Sequence, residues 1–183
     1  MGKISTLLAK IYFIKTITEK AVNMKDIYEW NNEYGKYHKN KTNKIIHWFC
    51  VPIIMFTLFG LLSLTNFSYE LNPGYLKFNF LNIFIILSLL FYVRLSIRIS
   101  IGMLLISMIF YYVVFRIDQS QLFTNFQLAM AYTLIFILAW IGQFIGHKIE
   151  GKKPAFSTDL QFLLIGPIWL LSFIYNKLNI KLK

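Results

Sequence analysis

Between Lys44 and Glu70 the chain carries no charged residue, and between Asp118 and Lys148 it again carries none. Few folds tolerate uncharged stretches of that length. A helix of about 20 apolar residues spans the hydrocarbon of a bilayer, whereas a surface helix of a soluble domain needs a polar outward face. Two further runs, Phe78 to Val93 and Ile99 to Phe115, are also free of charge. With 57% hydrophobic residues and a mean hydropathy of +0.55, the chain reads as an integral membrane protein rather than a soluble globule.

Four segments reach the length of a crossing: Ile45 to Leu64, Phe78 to Val93, Ile99 to Phe115 and Phe126 to Gly146. A fifth, Phe162 to Tyr175, is shorter and contains Gly166 and Pro167. The expected fold is therefore an all-α integral membrane protein of four transmembrane helices plus a re-entrant or short fifth helix. Basic residues crowd the flank before the first span, the turn containing Arg94 and Arg98, and the stretch after the fourth span with Lys148, Lys152 and Lys153. The other two loops are nearly free of lysine and arginine, so the positive-inside rule puts both termini on the cytoplasmic side.

The net charge of +11 is mostly a flank effect, because nine lysines fall within the first 44 residues. Such flanks suit membrane lipids of negative charge, and no water-facing basic surface is left for nucleic acid. Residues 1–25 place Ile4, Leu7, Leu8, Ile11 and Ile14 at helical spacing among Lys3, Lys10, Lys15 and Lys20. This pattern describes an amphipathic segment on the membrane surface, with residues 26–183 forming a single transmembrane helical domain. Met24 is a candidate ancestral start. Cys50 is alone, which excludes an intrachain disulfide. Ionisable groups are scarce inside the spans, which argues against a transporter or proton channel. A composition rich in Lys, Ile and Asn favours a bacterial inner membrane over the endoplasmic reticulum membrane, and no protein partner is legible.

The chain has three histidines, and the topology sends all of them to one face. His38 and His47 flank the entry to the first span, and His147 follows the exit of the fourth. A continuous helix would put His38 and His47 on opposite sides, so a break between them is required, and Lys39 to Thr42 supplies turn-forming residues with Asn43 as the expected N-cap. Pro52 is expected to bend the helix beyond His47. His147 and Glu150 share a face at i, i+3. Neutral imidazoles with one carboxylate suit iron, manganese or zinc. Each residue also has an ordinary structural explanation, as an interfacial polar group or, for Glu150, as a surface partner of Lys152 or Lys153.

The stretches "YHKNKTNKIIHWFCVP" (37–52) and "WIGQFIGHKIEGKKPAFSTDLQFLLIGP" (140–167) resemble the two signature regions of the 2-hydroxy fatty acid dioxygenase family, small multispanning membrane proteins. The matching positions are Tyr37, His38, Asn40, Asn43, His47 and Pro52, then Trp140, Gln143, Gly146, His147, Glu150, Pro154 and Ala155. The resemblance implies an iron(II)-dependent dioxygenase that uses O2 to shorten a 2-hydroxy fatty acid by one carbon. Fe(II) would be held by His38, His47 and His147, with Glu150 as a ligand or as an orienting group. Tyr37, Asn43 and Gln143 would support the ligands, and Lys152 and Lys153 would attract the substrate carboxylate. Members can carry a further histidine in mid-chain, and this sequence has none between His47 and His147. A non-catalytic lipid-binding scaffold and a metal-dependent lipid hydrolase are the alternative readings.

Overall fold

The computed structural model describes residues 25–65, 69–72, 76–153 and 161–183. The amphipathic segment expected before Lys25, and Pro154 and Ala155, lie outside the described residues. Helix α1 (Ile27–Gly35) starts at Asp26, whose carboxylate accepts the N–H groups of Tyr28 and Glu29 while Glu29 reaches back to the N–H of Asp26. All three donors are thereby satisfied within one helix, a capping box. Helix α2 (Lys41–Ser63) follows and continues through Pro52. A two-stranded antiparallel hairpin, β1 (Tyr69–Asn72) and β2 (Leu76–Phe78), leads into α3 (Phe80–Leu95), α4 (Ile97–Gln119), α5 (Asn125–Glu150) and α6 (Phe162–Lys177).

Among the described residues, α2, α4 and α5 are long and apolar enough to cross a membrane. Helices α3 and α6 are apolar but have 16 residues each. The ends of α4 and α5 extend beyond the apolar runs, because Arg116 to Gln119 and His147 to Glu150 remain helical. Leu90, Ile109 and Leu138 point outward, where a water-soluble bundle would present polar groups. Lipid-facing positions thus resemble the interior in chemistry, and close backbone approach takes over as the organising force.

That approach is clearest between α2 and α5. A Cβ on Gly142 would stand 2.7 Å from the Cys50 Sγ, one on Gly60 would overlap the Tyr132 ring, and one on Gly146 would overlap Asn43 Oδ1. Helices α3 and α4 are joined at Ser96, an extended residue that ends one helix and caps the next. Helix α6 packs on α1 and on this turn: the Tyr92 hydroxyl donates to the Leu164 carbonyl, and the Tyr175 hydroxyl to the Arg98 carbonyl. The larger apolar cluster, including Trp30, Tyr34, Tyr92, Ile99, Ile165 and Trp169, sits there. A smaller one around Phe59, Leu81 and Val114 closes the other end.

Candidate metal centre

The link between α1 and α2, residues 36–40, supplies the break that lets His38 and His47 meet. The cap of α2 is Asn40, not Asn43: the Asn40 Oδ1 accepts the N–H of Thr42 at 2.8 Å and that of Asn43 at 3.4 Å. Both asparagines can cap. With the earlier one doing so, the Asn43 side chain is free inside the helix, and its amide donates to the Tyr37 carbonyl and to Glu150, each at 3.1 Å.

The three histidine rings converge. Ring centres are 4.2 Å apart for His38 and His47, 5.0 Å for His38 and His147, and 4.9 Å for His47 and His147. One ligand nitrogen from each lies within 4.8 Å of the others, and relative exposures are only 1%, 1% and 4%. The Nδ1 of His38 lies 2.7 Å from the Tyr34 carbonyl, and that of His47 lies 2.9 Å from the Asn43 carbonyl. A carbonyl can only accept, so Nδ1 carries the proton in both rings and the Nε2 lone pair is left available. His38 Nε2, His47 Nε2 and His147 Nδ1 are all buried without a hydrogen-bond partner. Leaving a buried polar atom unsatisfied costs about 1–3 kcal/mol, so three side by side are costly unless something binds them. A first-row metal ion fits this donor set.

His38 is held on two further sides. It stacks on Tyr34, with ring centres 4.2 Å apart and planes 9° from parallel, and Trp169 from α6 lies 4.9 Å away. Burial pushes the His38 imidazole down to about 4, against the opposing pull of its hydrogen bond to Tyr34. The ring is therefore neutral, as a ligand must be, at any pH near 7.

Glu150 does not join the histidine cluster. Its Oε1 accepts the N–H of Lys39, and its Oε2 accepts the N–H of Asn40 and the Asn43 amide. Gln143 is buried one turn before His147 on the same face of α5. Lys152 donates to the Lys36 carbonyl at 2.7 Å and lies over the Tyr37 ring, while Lys153 is exposed. Tyr34, Trp169 and Gly142 belong to the site's surroundings and were not singled out from the sequence. The Gly142-x-x-x-Gly146 spacing in an apolar helix was an available signal for the last, since small residues four apart let two helices touch.

The sequence matches the family model described as 2-hydroxy-palmitic acid dioxygenase Mpo1-like over residues 24–178. No curated protein and no solved structure matches the chain.

Proposed function

The chain belongs to the Mpo1-like family of 2-hydroxy fatty acid dioxygenases, and from that premise we propose that it shortens a 2-hydroxy fatty acid by one carbon at the cytoplasmic face of its membrane. The observation that carries this reading is the set of three buried, unpartnered imidazole nitrogens facing one another. Metal-dependent oxidation is the chemistry of the family, and the histidine cluster supplies a seat for the metal. Iron(II) is the proposed ion. When bound, it would supply electron transfer to dioxygen and a Lewis-acidic seat for the hydroxyl and carboxylate of the substrate.

His38, His47 and His147 are the proposed ligands. A triad leaves coordination positions open, and the sequence offers no fourth histidine to close them. The Tyr34 and Asn43 carbonyls hold two of the rings in the ligating tautomer. Lys153, exposed beside the end of α5, attracts the substrate carboxylate, and Lys152, tied to Lys36, does so less readily. The overall change balances as 2-hydroxy acid plus O2 giving the acid one carbon shorter, CO2 and water.

Four crossings, α2 to α5, would place the ends that carry the histidines on one side. Sixteen residues make α3 about 24 Å long, enough to cross with local thinning of the bilayer. Helix α6 would lie within the cytoplasmic leaflet, since its two ends are tied to residues just before and just after Ser96. Both termini are then cytoplasmic. Anaerobic reconstitution with iron(II), followed by a 2-hydroxypalmitate assay with and without oxygen, tests the reading.

A further inference from the structure

Five of the six described helices begin with a side-chain cap, and two of them complete it with an acidic or amide residue at the third helical position. In α1 the pair is Asp26 and Glu29, and in α5 it is Thr124 and Gln127. Helix α2 has Asn40 as its cap but Asn43 at the third position. An asparagine is one methylene short of the reach-back that glutamate or glutamine makes. The N–H of Asn40 instead donates at 2.8 Å to Glu150, which is 110 residues away in sequence, on α5.

We infer that Glu150 completes the capping box of α2 in trans, and that it is a positioning residue delivering His38 to the other two histidines. Both carboxylate oxygens of Glu150 are used in this way. Oε1 takes the Lys39 N–H at 2.8 Å, directly after His38, and Oε2 takes the Asn40 N–H and the Asn43 amide. Asn43 in turn donates to the Tyr37 carbonyl, directly before His38. The backbone on both sides of His38 is thus anchored to α5, the helix that carries His147.

The electrostatics explain why the residue stands where it does. A carboxylate at the C-terminal end of a helix faces the negative end of that helix's dipole. Placed against the N-terminal N–H groups of α2, the same carboxylate meets the positive end of a second dipole. Glu150 therefore gains more across the helix pair than within its own helix. Gly146 makes the geometry possible, because a side chain there would displace Asn43. The Lys152 ammonium on the Lys36 carbonyl is a second tie between the same two segments.

This inference deepens the proposed function and rests on it for the metal, but the clamp itself exists without one. The test uses full-length protein in detergent, wild type and the variants E150A, E150Q, H38A and H38A/E150A. Two quantities are read: hydrogen exchange at the Lys39 and Asn40 amides in metal-free protein, and affinity for cobalt(II), whose visible spectrum reports the number and type of ligands. In E150A the two amides exchange faster and cobalt binding weakens about 10- to 100-fold, as for loss of an outer partner of a ligand. The cobalt spectrum of E150A moves toward that of H38A, and the double variant binds within about twofold of H38A, because both changes remove the same ligand. Additive losses in the double variant would mean that Glu150 binds the ion itself and overturn the inference, as would unchanged exchange in E150A. Should E150A fail to fold, E150Q, which keeps one acceptor oxygen, must show the same changes in smaller measure, and wild-type behaviour in E150Q overturns the inference. If wild-type protein binds no cobalt while the exchange difference persists, the clamp stands and the metal reading fails.

Discussion

The side-chain oxygen of Asn43 on α2 occupies the place where a Cβ on Gly146 of α5 would stand. One of the close contacts of the two helices is therefore made beside the histidine cluster, one residue before His147 and four before His47. Gly146→Ala must push Asn43 aside or separate the helices. Overpacking of this kind costs about 1–3 kcal/mol. The expected outcome is a lower melting temperature in detergent together with weakened metal binding. Wild-type values for both would show that the contact does not set the site.

Alanine at His38, His47 or His147 should lower metal affinity by more than about 100-fold, beyond the loss typical of an outer partner. Each change also removes one unsatisfied buried nitrogen, so the metal-free variants should not unfold. Metal content after reconstitution and thermal melts of the metal-free proteins check the two halves separately. Full metal loading of the His47 and His147 variants would remove both from the ligand set.

Acid should destabilise the metal-free protein through His38. Its folded-state value, about 4, lies below the value near 6.5 of the unfolded chain, so the unfolded state binds the proton first. Stability from this group is complete above about pH 6.5 and is lost as pH falls toward 4, amounting to about 3 kcal/mol for a ring this buried. Chemical denaturation of wild type and His38→Phe between pH 7 and 4 measures it. Equal acid sensitivity in both would contradict this assignment.

The side of the membrane can be read with single cysteines in a Cys50→Ala background. Lys148→Cys and Lys177→Cys should react with an impermeant maleimide only from the cytoplasmic side, and Ser120→Cys only from the opposite side. Labelling of Lys177→Cys from the side that labels Ser120→Cys would make α6 a crossing rather than a leaflet-bound helix.

Much of the site was legible in the sequence because the constraint was topological. With His47 opening one long apolar run and His147 closing another, the sequence reading of four crossings puts them on the same face, whatever the packing. The break before α2 was equally forced by the nine-residue separation of His38 and His47. The choice of cap was less accessible, since Asn40 and Asn43 are both competent and only the position of Glu150 on another helix decides between them. Spacing put Glu150 on the same side of α5 as His147, which suggested shared ligation. It could not show that two backbone N–H groups from α2 would lie within the reach of that side chain. Tyr34 and Trp169 were hidden for a related reason: each fits an ordinary apolar helix face, and their meeting at His38 joins segments more than 130 residues apart. The crossing number was read from apolar length alone, and α3 and α6, with 16 residues each, are where that criterion loses its power.

The most direct test of the account is the fate of 2-hydroxypalmitate with purified protein loaded anaerobically with iron(II) and then given oxygen. About one iron per chain is expected, with the acid one carbon shorter formed only when oxygen is present and not by the His47→Ala variant. Protein that binds no iron, or that releases product equally well without oxygen, would contradict it.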